Sequence, residues 1–290
     1  MMRILGTWSP SPLITAGLVV AGAVYMRADR RVRRERGARV VPRVRPWFFL
    51  GGLVVIFTAL ESPIDTGAAT SFSIHMVQHL MLTMVAAPLL VLGAPILLAL
   101  MASSRATRRH LQPILMSAPV RILAGPIAAW SLFMMVLWGS HLPAVYELTL
   151  RGEGFHAVEH LAFLGTAALF WMPVVGIDPA PSSLPHPARI LYLFFAMAAM
   201  AFLGLAIFSA NHPLYPAYAR IGDAGAALAD QRVAGALMWT GTMFLIVPAL
   251  AFVMLDWMRE DDKEARRTDA RLLRAREQSA TPMGREEATN

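Results

Sequence analysis

The chain of 290 residues contains no cysteine. That excludes disulfide bridges, iron–sulfur clusters, thiolate zinc sites and copper carriage by a Cys-x-x-Cys pair. Any metal must therefore be held by histidine, methionine, carboxylate or backbone oxygen. Charge is scarce as well: 16% of residues are charged, against 56% hydrophobic. That balance is too apolar for an ordinary soluble domain and indicates a polytopic membrane protein. The charge present is biased, with a formal net of +7. The excess is arginine between apolar runs. It points to membrane topology and to anionic lipids as partners of the Arg-rich segment, not to nucleic acid.

Apolar runs fall near 13–26, 47–61, 75–101, 121–140, 156–176, 187–209 and 231–257. Each after the first is long enough for a helix across a hydrocarbon core of about 30 Å, given some tilt. The first is short and can extend outward through Ile4, Leu5 and Trp8. A signal peptide fits it less well, because the basic cluster follows the run and no Ala-x-Ala site is evident. The prediction is an all-α bundle of seven transmembrane helices. Residues 1–46 make the first helix and an Arg-rich cytoplasmic loop, 47–257 a six-helix core, and 258–290 a charged cytoplasmic tail. The arginines from Arg27 to Arg45, with Arg105, Arg108 and Arg109, set the inner side by the positive-inside rule. The N-terminus is then outside and the C-terminus inside. The tail's mixed charges suit a solvated helix, and the last dozen residues suit disorder.

Against this background one motif occurs twice, as His75-Met-Val-Gln78-His79-Leu80 and His156-Ala-Val-Glu159-His160-Leu161. On a helix, positions i and i+4 share a face one turn apart, so each pair can aim two imidazoles at one point. Ionisable groups at membrane depth are costly and mark function. The topology puts both pairs at the outer face, with His141, His212, Asp230 and Gln231 at the same end. His110 and His186 fall on the other side and read as plain loop residues. The candidate metal ligands are His75, His79, His156 and His160, with His141 and Asp230 as outer ligands or gate. Gln78 and Glu159 either hold a ring nitrogen by hydrogen bonding or face a neighbouring helix. Met76 reads as packing, and Glu61 and Asp65 as solvated loop carboxylates. Pro88, Pro95 and Pro173 interrupt or end helices, and Gly93, Gly235 and Gly241 suit close helix approach.

Other absences narrow the chemistry. A zinc protease needs His-Glu-x-x-His, and here Met76 and Ala157 stand where the glutamate would be. Adjacent His-His pairs, usual in membrane hydroxylases and desaturases, do not occur. An all-imidazole ligand set at an oxidising face favours copper or zinc. A zinc hydrolase with a metal-bound water, and a single bis-His haem b bridged between helices, stay open. A site that hands on its ion should be partly open. Histidine protonation should weaken it below about pH 6.

Further segments extend the pattern: Ser62-Pro-Ile-Asp65, Ala87-Pro-Leu-Leu-Val-Leu-Gly-Ala-Pro95, His141-Leu-Pro-Ala-Val-Tyr146, Phe170-Trp171-Met-Pro173, Asp230-Gln-Arg-Val-Ala-Gly235 and Met238-Trp239. In this order, over roughly 47–256, the chain resembles the CtaG family of cytochrome c oxidase assembly factors. The resemblance implies a seven-helix protein of the bacterial plasma membrane. Its role would be to help build haem–copper oxidase, without catalytic turnover of its own. It implies oxidase subunits as partners and, by inference, copper as the cargo, received from a periplasmic or extracellular donor. The family's motif positions fall on His75, His79, His141, His156, His160, Asp230 and Gln231. The Arg-rich segment and the tail lie outside the resemblance.

Overall fold

The computed structural model describes residues 8, 11–37, 40–149, 152–176, 184–221 and 223–280. Among these, every regular element is helical. The first helices are α1 (Pro12–Arg36), α2 (Arg45–Glu61), α3 (Pro63–Ala68) and α4 (Phe72–Leu80). A π-helical stretch, Met81–Ala86, joins α4 to α5 (Ala87–Leu92), and α6 (Pro95–Ala102) follows. Then come α7 (Arg105–Leu115), α8 (Ala118–Leu123), α9 (Pro126–Ser140) and α10 (Pro143–Thr149). The chain closes with α11 (Glu153–Val175), α12 (His186–Phe208), α13 (Pro216–Ile221) and α14 (Ala224–Ala280).

Four stretches are long and apolar enough to cross a membrane: Phe72–Ala102, Gly154–Val175, His186–Phe208 and Ala224–Arg274. α9 is apolar but has 15 residues, and α2 has 17. Large apolar side chains such as Phe195, Phe202, Phe244 and Phe252 point outward from the bundle, as they do where the surroundings are lipid. The protein is a membrane protein.

The arginines expected in a loop after the first span are instead largely helical, because α1 continues to Arg36. Arginine is a good helix former. Two i,i+4 pairs, Asp29–Arg33 at 2.7 Å and Arg31–Glu35 at 2.8 Å, support the extension. Gly37 ends it at φ 96°, a conformation that favours glycine. The tail is helical too: α14 runs to Ala280 with exposed charges beyond Met258. The disorder expected for the last dozen residues concerns mainly 281–290, which lie outside the described residues.

The prolines act as their chemistry requires. Pro88 has no N–H, and its ring would crowd the carbonyl four residues back. The turn before it widens, and the Ala87 N–H reaches Leu82 O, five residues back. Before Pro95 the helix breaks at Ala94, which sits in the left-handed region at φ 50°. Pro173 lies near the end of α11, which stops at Val175. Close helix approach is concentrated between α12 and α14. A Cβ on Gly235 would lie 2.6 Å from Phe208 N, and one on Gly204 2.8 Å from Gly235 O. At Gly93 a Cβ would meet Phe49 Cβ at 2.7 Å, and the Gly93 carbonyl accepts from Tyr25 Oη at 2.7 Å.

Candidate metal centre

α4 carries the first histidine pair, and three anchors fix its position and rotation. Ser71 caps its N-terminus, its Oγ accepting from the Ile74 N–H at 3.4 Å. Asp230, from α14, then receives the Phe72 N–H at 2.6 Å, the Ser73 N–H at 3.3 Å and the hydroxyls of Ser71 and Ser73. A helix N-terminus leaves N–H groups unpaired and carries partial positive charge, so a carboxylate suits it. On the opposite side Gln78 donates to Ala59 O at 2.9 Å and to Asp65 Oδ1 at 2.8 Å. Those bonds tie α4 to α2 and α3.

With α4 so held, five imidazoles meet at one end of the bundle. His75 Nε2 lies 3.0 Å from His79 Nε2. The ring of His156 on α11 is 5.3 Å from that of His75, and the ring of His160 is 5.7 Å from that of His79. His156 and His160 are 4.2 Å apart. His141, closing α9, has its ring 6.5 Å from His79. Its Nδ1 is 2.6 Å from Leu137 O. A carbonyl only accepts, so Nδ1 carries the proton and Nε2 keeps its lone pair, 3.4 Å from Met76 Sδ.

Glu159 joins this group. Its Oε2 lies 4.0 Å from His75 Nε2. His75, His156 and Glu159 offer ligand atoms that all lie within 4.8 Å of one another. All six residues are buried except His156, which is half-buried. That is more closed than the partly open site expected from ligand exchange. Yet His79 Nδ1, His156 Nε2 and His160 Nε2 have no hydrogen-bond partner among the described residues. Buried polar atoms are normally paired. Ring nitrogens left without a partner within one imidazole cluster are available as ligands to a cation.

Several residues take places other than those the sequence suggested. Asp230 is engaged by the α4 N-terminus, so its oxygens are committed to four donors. Gln231 is buried, accepting from Leu214 N–H at 2.7 Å and donating to Ile207 O at 3.3 Å and His212 O at 3.4 Å. It ties down the chain after α12, while the His212 side chain is exposed. Gln78 faces α2 and α3, not a ring nitrogen. Glu61 is not a solvated carboxylate: it is fully buried and accepts from the Ser11 N–H. Asp65 is half-buried against Gln78. His186 is not a plain loop residue either. It opens α12, with Nε2 3.3 Å from Asp256 Oδ2 and 3.8 Å from Glu260 Oε2. His110 is exposed on α7.

Three tyrosines, to which the sequence reading gave no role, roof the cluster. Tyr218 donates to Ala68 O at 3.0 Å and its Oη is 3.5 Å from His75 Nδ1. Tyr146 Oη is 2.8 Å from Tyr218 Oη, and Tyr215 donates to His141 O at 3.0 Å. Burial pushes the Tyr215 and Tyr218 phenols up, so both stay protonated. The signal in the sequence was weak: aromatic residues in connecting segments rich in proline and charge.

An all-helical membrane bundle with an internal imidazole cluster is the class these observations define. The model of the cytochrome c oxidase caa3 assembly factor family, Caa3_CtaG, matches residues 23–260, and the chain belongs to that family. An uncharacterized protein of Mycobacterium leprae is 30% identical over 279 residues, 93% of this chain and 42% of its own length. One from Mycobacterium bovis is 29% identical over 277 residues, 92% of this chain and 42% of its own. The chain thus spans less than half the length of these curated relatives. No solved structure matches.

Proposed function

We propose that the chain captures copper at the outer face of a bacterial plasma membrane and passes it to a cytochrome c oxidase subunit docked beside it. The fold is read as seven spans with the N-terminus outside, which puts the imidazole cluster on the outer side. The observation that carries the reading is the clustering of five imidazoles, with His75 Nε2 3.0 Å from His79 Nε2, His75, His156 and Glu159 ligand atoms within 4.8 Å of one another, and buried ring nitrogens on His79, His156 and His160 without a partner among the described residues. Imidazole binds copper well, and no thiolate competes for the role. His156, the half-buried member, is the entrance. His75, His79 and His160 receive the ion within, and His141 offers Nε2 from the far wall. Asp230 and Gln78 act through α4, holding its two histidines in place. The family role in oxidase assembly supports the direction of transfer and a function without turnover.

The test is copper stoichiometry of purified protein beside a His75→Ala/His79→Ala variant, with oxidase activity followed in cells. Expected are bound copper in the wild type, its loss in the variant, and a parallel fall in oxidase activity. Purified protein without copper, and unchanged oxidase activity in the variant, would overturn the proposal. The Glu159 carboxylate beside His75 and His156 favours one second reading, a zinc site with a bound water. Zinc in place of copper in the same metal analysis selects it. A Soret band would instead indicate haem b.

A further inference from the structure

Beside the imidazole cluster lies a small cavity of about 20 Å³. By the usual measure that holds roughly one water-sized particle. Its wall includes Met76 from α4, Met84 from the π-helical stretch, Met200 from α12 and Met238 from α14. All four are buried. His79 and His141 belong to both places: they are members of the imidazole cluster and also line the cavity. His79 Nδ1 has no hydrogen-bond partner among the described residues, while its Nε2 faces His75. His141 Nε2 already lies 3.4 Å from Met76 Sδ.

Apolar packing alone does not account for this composition. Methionine does fill irregular gaps. Here methionines from four separate elements surround an unfilled space that also has two imidazoles in its wall. Thioether is a soft donor and selects Cu(I), whereas zinc prefers imidazole, carboxylate or thiolate. We propose that this methionine-walled cavity is a second station, for one soft monovalent cation, Cu(I), received from the imidazole cluster through His79 and His141. This inference rests on the copper reading above. The step is ligand exchange alone: copper–imidazole bonds break, copper–thioether bonds form, and copper stays Cu(I). Neither an oxidant nor a reductant is consumed. The station would give the protein its preference for copper over zinc, which an all-imidazole site lacks.

The test uses the full chain in detergent, loaded with Cu(I) under reducing conditions, with X-ray absorption at the copper edge. Expected in the wild type are nitrogen scattering and, at higher loading, sulfur scattering. The Met84→Leu/Met200→Leu/Met238→Leu variant keeps core volume, since leucine and methionine interchange with little strain. With Met76 alone remaining, it should lose most of the sulfur scattering and about one equivalent of Cu(I), and keep the nitrogen-bound copper. Wild type with copper bound only through nitrogen overturns the inference and leaves the copper reading intact. Wild type without bound copper overturns both. Should the triple variant fail to fold, the wild-type sulfur scattering decides by itself.

Discussion

A single carboxylate, Asp230, links the long C-terminal helix to the start of the helix that carries His75 and His79. Removing it leaves the N–H groups of Phe72 and Ser73 without an acceptor. Asp230→Ala should therefore lower stability by about 0.5–2 kcal/mol, as loss of a helix cap does. It should weaken copper retention in step. Asp230→Asn keeps an oxygen at the site and should be milder in both thermal melts and metal analysis. Gln78→Leu strands the Ala59 carbonyl and Asp65. A cost of about 1–3 kcal/mol is expected, seen as a lower melting temperature. If Gln78→Leu melts like the wild type, the anchoring role is wrong. At this scale much was legible beforehand. The i,i+4 spacing alone put His75 with His79 and His156 with His160. What the spacing did not reveal is where Gln78 and Asp230 turn. A side chain's partner depends on which helix packs beside it, and no local pattern encodes that.

Helix-level features bring separated residues together or keep them apart. The π-helical stretch inserts an extra residue just after His79, so the face carrying the histidines is offset from the turns beyond Pro88. Pro88→Ala restores an N–H and removes the clash with the turn before it. The variant should insert and fold, yet hold less copper, because relaxation toward an ordinary α-turn rotates His75 and His79 away from His156 and His160. Metal analysis of the variant against the wild type checks this. The seam between α12 and α14 gives a second test. Gly235→Leu forces a side chain where a Cβ alone would sit 2.6 Å from Phe208 N. Overpacking of that kind should cost about 1–3 kcal/mol, read as a lower melting temperature. The prolines and glycines announced interruptions and close approaches in the sequence. The π geometry stayed hidden because a missing N–H says that a turn must change, not which wider turn replaces it. The helical arginines after the first span were hidden for a related reason: a charge run reads as a loop until its i,i+4 pairs are seen.

At the scale of the whole molecule, the fold separates two polar ends along α14. From Asp230 to Asp256 the helix rises about 39 Å, at 1.5 Å per residue, more than a hydrocarbon core of about 30 Å. The imidazole cluster and the His186–Asp256–Glu260 group therefore lie at opposite ends. By the positive-inside rule the arginine distribution predicts that the end with His186 faces the cytoplasm. A C-terminal fusion to alkaline phosphatase should accordingly be inactive in cells, and one to a cytoplasmically folding fluorescent protein should be bright. The opposite pattern would invert the topology and put copper uptake on the wrong side. Composition made the membrane class legible. The number of crossings is harder to read, since α9, at 15 residues, is shorter than the run that suggested it and α2 has 17.

The tight enclosure of the imidazoles also has a consequence in time. Among the described residues of the cluster His156 is the half-buried one, and the tyrosines cover the side of His75 and His141. On the copper reading proposed above, an ion held within would leave past His156 or through a local opening of the tyrosine side, so its dwell would be set by the frequency of that opening as well as by bond strength. On that reading the site would act as a clock, with release timed by its own opening.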